Sequence, residues 1–185
     1  SFDNNSFDFL VAFKKKEELI NSLDPFSDLD SFIRKSPDWI FGYLTYDLKN
    51  NIEELSSNNL DFQNFPRIHF FNAEIIIKVK NNNAIILYNA NHSSADIDKV
   101  FNDICNVEII DKIMKKVEIK SRVSKEDYIK NISCIKDHLQ SGDIYEMNYC
   151  QEFYVQNVEL DPFVLFSKLN NISQAPFSSF YRIRN

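Results

Sequence analysis

Glycine is scarce in this chain of 185 residues, which contains only Gly42 and Gly142. A loop that cradles a phosphate group needs several glycines, because backbone N–H groups must approach the anion closely. The sequence therefore excludes the glycine-rich nucleotide sites of Rossmann and Walker-type domains. Asn also tolerates a left-handed backbone, so we expect Asn to occupy many of the turns.

The charge balance argues against nucleic acid as a partner. Asp and Glu number 27 and Lys and Arg 21, which gives a net charge of −6. A general nucleic-acid binder needs a positive field to displace counterions from phosphates.

The apolar runs are too short to cross a bilayer, and no leader sequence is recognisable. We expect a globular, cytoplasmic protein with neither nucleic acid nor membrane as a partner.

Cysteine and histidine do not follow the spacing of metal ligands. The three cysteines are far apart and form no CxxC pair, so we expect reduced thiols and no zinc site. For each histidine we predict an ordinary structural or surface role. The residues concerned are Cys105, Cys134, Cys150, His69, His92 and His138.

Apolar periodicity predicts an α+β fold in which mixed or antiparallel sheets are covered by helices. Helices are predicted to begin with Asp24–Pro25, Ser94, Ser124 and Pro162. Strands are predicted at 7–13, 39–48, 66–80, 84–89, 144–155 and 177–183. We expect the strand 39–48 to be buried on both faces, and the strand 66–80 to have one wet face near its turn.

Three local signals are more specific. Gly42 inside a strand indicates a bulge or the close approach of another backbone. The asparagines at 81–83 suit a hairpin loop between two strands. Gly142 fits the position just after the end of a helix.

The predicted strand 144–155 has two different faces. Tyr145, Met147, Tyr149 and Phe153 alternate on one face, which we expect to be core. The other face carries Glu146, Asn148, Cys150 and Glu152. These four side chains could form a structural polar network, face solvent or contact a ligand directly. Glu146 and Glu152 are about 20 Å apart along a strand, too far to act as an acid–base pair on one bond.

A charged segment of low periodicity, at about 108–122, is the candidate domain boundary. We predict an N-terminal domain at 1–115, truncated at its start, and the beginning of a second domain at 119–185. We interpret the α–β–α–β pattern of 124–185 as half of a larger unit. We therefore expect an incomplete chain that exposes apolar surface.

Three segments in order resemble the chorismate-binding family, which includes anthranilate, aminodeoxychorismate, isochorismate and salicylate synthases. The first is WIFGYLTYDL at 39–48, similar to a GYxxYD strand in the N-terminal domain of these enzymes. The second runs from 124 to 155 and contains Ser-Gly-Asp followed by IYEMNYCQEF. The third is APFSSF at 175–180, after the next predicted helix. The resemblance covers most of the chain and implies a fold like that of anthranilate synthase component I.

Within this family the details favour aminodeoxychorismate synthase component I. Asn148 and Gln151 match its strand, and the segment 175–178 departs from the pattern of tryptophan-inhibited anthranilate synthases. The resemblance implies that the full-length enzyme binds chorismate and Mg²⁺ and adds ammonia at C4 of the ring. Ammonia would come from a glutamine amidotransferase subunit, and the product would feed p-aminobenzoate and folate synthesis. Anthranilate synthase component I is the alternative.

The family's catalytic motifs and Mg²⁺ ligands come later than the region present. The resemblance therefore assigns no catalytic residue and no metal ligand to this chain, and we expect the chain alone to be inactive. A different class of function also stays open. The chain could be a stand-alone, non-catalytic module that binds an amino acid or docks the glutaminase.

Family members carry a tryptophan pocket between an N-terminal strand and the APFS-like segment. The resemblance places Ser6 and Phe7 on one wall of such a pocket and Pro176, Phe177 and Ser178 on the other. The match of the first wall is one residue short. The alternative is that Pro176 and Phe177 are simply core and turn residues.

Overall fold

The computed structural model describes residues 7–36, 38–108 and 116–183. The chain forms two compact units, Ser1–Val107 and Glu108–Asn185. Both combine helices with antiparallel strands, which confirms the predicted α+β class. The division into family domains at 1–115 and 119–185 stays a prediction, because part of the linking segment lies outside the described residues. Within the described ranges, no helix has the length and apolar character needed to cross a bilayer.

Four antiparallel strands form the sheet of the first unit. They are β1 (Phe9–Ile20), β2 (Ile40–Leu44), β3 (Ile68–Lys80) and β4 (Asn83–Tyr88). Strand β3 is central, with β1 on one side and both β2 and β4 on the other. The unit also contains helix α1 (Pro25–Lys35), helix α2 (Ser94–Cys105) and a short 3-10 helix, Tyr46–Asn51.

The core of the first unit lies between β3 and α2. Ile75 is fully buried, and Ile77 and Ile97 are nearly so. The side chains packed around these three are Phe13, Val79, Ile86 and Val100. The predicted apolar face of β3 is therefore the face that α2 covers.

The opposite face of β3 is wet only beside its turn. Lys80 is exposed, whereas Glu74 and Lys78 are half-buried and Ile76 is buried. Exposure on this face, among these four residues, is therefore confined to the end beside the turn. The predicted wet face is confirmed at the turn.

Strand β1 is longer than the predicted strand 7–13. Its pairing with β3 shifts register between Lys15 and Glu17 and then continues to Ile20, opposite His69. Lys14 has a φ of 55°, a left-handed conformation at this irregularity. The predicted end of β1 was wrong because its backbone hydrogen bonds to the central strand β3 continue beyond the point where apolar and polar residues stop alternating.

Strand β2 is shorter than the predicted strand 39–48, since it ends at Leu44 and the 3-10 helix begins at Tyr46. It is not buried on both faces, because Leu44 is exposed. The prediction for Gly42 is confirmed. A Cβ atom at Gly42 would lie 2.2 Å from the carbonyl oxygen of His69.

Asparagine supplies the left-handed positions of the β3–β4 hairpin. Asn81 and Asn82 have φ values of 48° and 64°. Two consecutive positive φ values are the requirement of a two-residue type I′ turn, in which Asn is favoured. The predicted hairpin is confirmed.

The helix starts follow capping chemistry. The side chain of Asp24 accepts a hydrogen bond from the Ser27 N–H, as predicted for a helix that begins at Pro25. Helix α2 is capped by Ser93 rather than the predicted Ser94. Ser93 and Asp96 form a reciprocal capping box, in which each side chain bonds to the backbone N–H of the other.

The second unit contains helix α3 (Lys125–Ser141), helix α4 (Pro162–Ile172) and a pair of two-residue strands, β5 (Lys120–Ser121) and β6 (Phe153–Tyr154). No described residue between 116 and 183 is buried. The predicted apolar stripe of α3 is half-buried at Tyr128, Ile132 and Ile135. The described part of this unit thus has no buried core, and it exposes the apolar surface that the sequence led us to expect.

Candidate functional site

Helix α3 ends in the Ser-Gly-Asp segment that resembles the chorismate-binding family. Gly142 is left-handed, with a φ of 79°, and its N–H bonds to the carbonyls of His138 and Leu139. The Asp143 N–H donates to the His138 carbonyl at 3.0 Å. The Asp143 carboxylate also lies 2.7 Å from Nδ1 of His138. The prediction that Gly142 ends the helix is confirmed.

The segment after this turn is not the long strand predicted at 144–155. Only Phe153 and Tyr154 form a strand, paired with Lys120–Ser121, and the Arg122 N–H extends the pairing to the Glu152 carbonyl. A strand depends on the hydrogen bonds of its neighbours. Residues 144–151 have no partner strand within the described ranges, so the prediction was wrong here.

The predicted core face of this segment is mostly solvent-exposed. Tyr145 is 95% exposed, and more than half of the Met147 and Phe153 surfaces are exposed. Tyr149 is half-buried because its ring stacks on Tyr128 of α3, with 5.1 Å between ring centroids. Asn131 donates a hydrogen bond of 2.6 Å to the Tyr149 hydroxyl. The predicted core role is wrong, since no described element covers this face.

The predicted polar face is divided between a network and solvent. The Arg122 guanidinium binds both carboxylate oxygens of Glu152, at 3.0 and 3.2 Å, and lies 4.0 Å from the ring centroid of Tyr154. The hydrogen bond from Arg122 lowers the pKa of the Glu152 carboxyl and raises the pKa of the guanidinium. The other three members of this face, Glu146, Asn148 and Cys150, are exposed.

A pocket of about 390 Å³ lies between the small sheet and the start of α3. Its lining residues are Ser121, Val123, Lys125, Tyr128, Gln151 and Phe153. Gln151 donates from Nε2 to the Val123 carbonyl at 2.8 Å. Its Oε1 is buried and accepts no hydrogen bond from the described residues. The sequence singled out Gln151 only through the family motif, and no local pattern signals this pocket.

The residues of the predicted tryptophan-like pocket belong to different units. Ser6 lies outside the described residues, and Phe7 is half-buried at the start of the first unit. In the second unit Pro176 and Phe177 form a turn, which the Ser178 N–H closes on the Ala175 carbonyl at 3.2 Å. The Phe177 side chain is 87% exposed, so within the described residues it is not a core residue. The pocket itself stays a prediction.

The strand predicted at 177–183 is also absent from the described structure. Phe180 instead packs on α4, with its ring centroid 5.4 Å from that of Phe163 and 5.6 Å from that of Phe166. Arg182 lies over the Phe180 ring. These contacts fold the segment back on the preceding helix, and they do not require a partner strand.

Two histidines have carboxylate partners that the sequence did not indicate. His69 Nε2 lies 3.2 Å from a carboxylate oxygen of Glu18, and His92 Nε2 lies 2.9 Å from one of Glu74. The partners are 51 and 18 residues apart along the chain, so only folding brings them together. Glu18 and His69 lie on the paired strands β1 and β3, whereas His92 lies in the connection between β4 and α2. Among the residues that the structure describes, no three His, Cys, Asp or Glu side chains are grouped as a metal site would require.

The chain is similar in structure to a crystal structure of anthranilate synthase component I from Streptococcus pneumoniae TIGR4. The TM-score is 0.70 at 18% sequence identity, and the match covers 94% of this chain and 47% of that one. This likeness confirms the predicted fold. The chain spans about half the length of that structure.

Three curated relatives are similar in sequence, two of them with the same name. Anthranilate synthase component 1 from Acetivibrio thermocellus is 24% identical over 157 residues, which cover 74% of this chain and 32% of the relative. Aminodeoxychorismate synthase component 1 from Escherichia coli K12 is 33% identical over 64 residues, which cover 35% of this chain and 14% of the relative. The chain thus spans a third or less of each relative that it matches.

A sequence profile described as "chorismate binding enzyme" matches residues 3–185. The match includes both compact units and all three segments on which the resemblance was based. The chain belongs to the chorismate-binding enzyme family.

Proposed function

We propose that this chain is part of an aminodeoxychorismate synthase component I. The complete enzyme would aminate chorismate at C4 to give 4-amino-4-deoxychorismate for p-aminobenzoate and folate synthesis. The observation that carries this choice is the segment after Gly142, where Asn148 and Gln151 match the aminodeoxychorismate pattern. Two relatives with that name, from E. coli and Klebsiella aerogenes, support it at 33% and 34% identity.

Mg²⁺ belongs to the proposal through the chemistry of chorismate. A hard cation that bridges carboxylate oxygens would neutralise charge in an acidic protein. The described residues do not fit such a site, since they contain no group of three possible ligands. The metal ligands would therefore come from elsewhere in the complete enzyme.

Ammonia would be supplied by a glutamine amidotransferase subunit. We infer that the 185-residue chain alone makes no product from chorismate, Mg²⁺ and ammonium. The support is physical: the Asn148 side chain is exposed, and among the described residues no partner strand fixes the position of the segment 144–151. Catalytic groups must be held in place before they can stabilise a transition state.

The test is to express the complete open reading frame that contains this chain and to identify its product. The purified protein is incubated with chorismate, Mg²⁺ and ammonium, and the products are separated and identified by mass spectrometry. We expect 4-amino-4-deoxychorismate, and no product when ammonium is omitted. The 185-residue chain assayed in parallel should give neither 4-amino-4-deoxychorismate nor anthranilate.

Anthranilate synthase component I is the second candidate. The relative with that name matches the longer part of this chain, although at 24% identity. Anthranilate as the product would establish this alternative and contradict the proposed assignment. A reading frame that yields no product with either nitrogen source, ammonium or glutamine plus amidotransferase, would favour a non-catalytic module.

A further inference from the structure

Residues 144–151, which we call the motif segment, are attached at their carboxyl end to the segment 120–123. Strand β6 pairs with β5, and the Arg122 N–H donates to the Glu152 carbonyl at 2.9 Å. The Arg122 guanidinium also binds both carboxylate oxygens of Glu152, at 3.0 and 3.2 Å. The main chain and the side chain of Arg122 thus hold the residue that comes immediately after the motif segment.

The pair of Arg122 and Glu152 differs from an ordinary surface ion pair. Exposed pairs contribute little, because two long side chains must be held in one geometry. Here the guanidinium lies over the Tyr154 ring, 4.0 Å from its centroid, and its bond to the carboxylate is bidentate. The pair of Arg34 and Asp30 on α1 is ordinary by comparison, with a hydrogen bond of 2.7 Å and side chains that are 78% and 60% exposed.

Other described contacts of the motif segment lie at its start and in its middle. The turn at Gly142 ties the start to α3, and in the middle the Tyr149 ring stacks on α3. No described strand pairs with the segment. At its carboxyl end the Gln151 side chain donates to the Val123 carbonyl at 2.8 Å, beside the contacts of Arg122. The position of this end therefore depends on its attachment to 120–123.

We propose that Arg122 is a positioning residue of the complete enzyme, and that its bidentate bond to Glu152 fixes the place of the motif segment and of Asn148 within it. The inference rests on the proposed function, which was assigned from this segment. In this role Arg122 acts through Glu152 and not by contact with chorismate. A displacement of about 1 Å in an active site can cost about a hundredfold in rate, so an attachment of this kind affects turnover.

The experiment measures kcat and KM for chorismate with the complete protein, for whichever product it forms. We expect Arg122→Ala to lower kcat about tenfold and to change KM less than about twofold, because displaced groups fail chiefly in the transition state. Arg122→Lys keeps the charge and loses the planar fork, so it should retain part of the activity. The matched control is Arg34→Ala, which removes the ordinary pair of α1 and should leave both constants unchanged.

A double-mutant cycle tests whether Arg122 acts through Glu152. Glu152→Ala should lower kcat as much as Arg122→Ala does, and the double variant should be no worse than either. Thermal melting establishes that each variant is folded at the assay temperature. An unchanged kcat in Arg122→Ala overturns the inference. Additive losses, or a loss in Arg122→Ala far larger than in Glu152→Ala, also overturn it, because Arg122 would then act independently of Glu152.

Hydrogen exchange of the complete protein separates this inference from the proposed function. By mass spectrometry, peptides that cover 144–151 should exchange at least about threefold faster in Arg122→Ala, whereas peptides of α3 should be unchanged. Equal exchange of the motif segment in the variant and the wild type overturns the positioning role, whatever the product is. Anthranilate as the product, together with the kcat loss and the faster exchange, contradicts the proposed function and supports the positioning role. A complete protein that forms no product overturns both.

Discussion

The Gly42 α carbon lies directly against the carbonyl oxygen of His69 on the neighbouring strand. A Cβ atom at Gly42 would be 2.2 Å from that oxygen and 2.5 Å from Cδ1 of Phe70. The oxygen belongs to the central strand β3, which is paired on both sides and cannot move without disturbing its neighbours. The place where β2 joins the sheet therefore depends on the absence of a side chain at Gly42.

Gly42→Ala should destabilise the first unit by about 1–3 kcal/mol, because either the strand pairing or the β3 backbone must shift. Urea unfolding followed by the fluorescence of Trp39, the single tryptophan, reports on this unit. The matched control is Gly142→Ala in the second unit, where a Cβ would meet nothing within 4 Å. Alanine at this position adds only the strain of a left-handed backbone. It should leave the urea midpoint of the Trp39 fluorescence transition unaltered. Equal transitions for Gly42→Ala and the wild type would contradict the close approach.

Ile75→Ala should remove about 3 kcal/mol from the free energy of unfolding, since Ile75 is fully buried between β3 and α2. Ile172→Ala makes the same change at a residue of α4 that is 86% exposed, and there we expect less than about 0.5 kcal/mol. Both values come from urea unfolding. A loss below about 1 kcal/mol for Ile75→Ala would show that this side chain is not in a close-packed core.

The His92–Glu74 contact predicts a pH dependence of stability. The hydrogen bond from His92 lowers the pKa of the Glu74 carboxyl below its usual value of 4.5. A carboxyl whose pKa is lower in the folded state than in the unfolded state stabilises the fold fully when the pH is above the unfolded-state pKa. This stabilisation is lost as the pH falls through the folded-state pKa. The first unit should therefore lose stability as pH falls below about 4.5.

Glu74→Gln removes this titration, so its urea midpoint should change less between neutral and acid pH than that of the wild type. Glu17→Gln is the control, because Glu17 is an exposed carboxylate on the same sheet. Identical pH profiles for Glu74→Gln and the wild type would show that the contact does not contribute to folding.

Ser124→Ala should weaken helix α3 by about 1 kcal/mol, because the Ser124 hydroxyl accepts the Asp127 N–H at 3.0 Å. Residue-specific Cα chemical shifts in the first turn of α3 measure the loss of helix. Ser133→Ala, at an exposed position in the middle of α3, should preserve or slightly increase the helix content. If both variants lose helix equally, the hydroxyl is not the cap.

Sequence reasoning worked best for features that depend on a few neighbouring residues. The Asp24–Pro25 start of α1, the asparagine hairpin and the left-handed Gly142 follow from local backbone preferences and short-range hydrogen bonds. The cap of α2 was displaced by one residue, because Ser93 and Ser94 offer the same chemistry and only the distance to Asp96 distinguishes them.

Features that depend on distant partners could not be predicted in the same way. The segment 144–151 alternates like a strand, but a strand also requires neighbours, and the sequence pattern does not show which neighbours are present. The polar end of β1 shows the opposite case, in which the long partner β3 extends a strand beyond its apolar residues. The contacts of His69 with Glu18 and of His92 with Glu74 likewise appear only when the chain folds.

Amide hydrogen exchange, measured residue by residue by NMR, tests most directly whether the described part of the second unit, 116–183, carries its family motif without a buried core. The amides of Ile75 and Ile77 in β3 should exchange on the order of a thousandfold or more slowly than in an unfolded chain. Those of Ile132 and Ile135 in α3 should be protected far more weakly, because no described residue of that unit is buried. Protection of α3 as strong as that of β3 would contradict this division and show that the second unit is stabilised on its own.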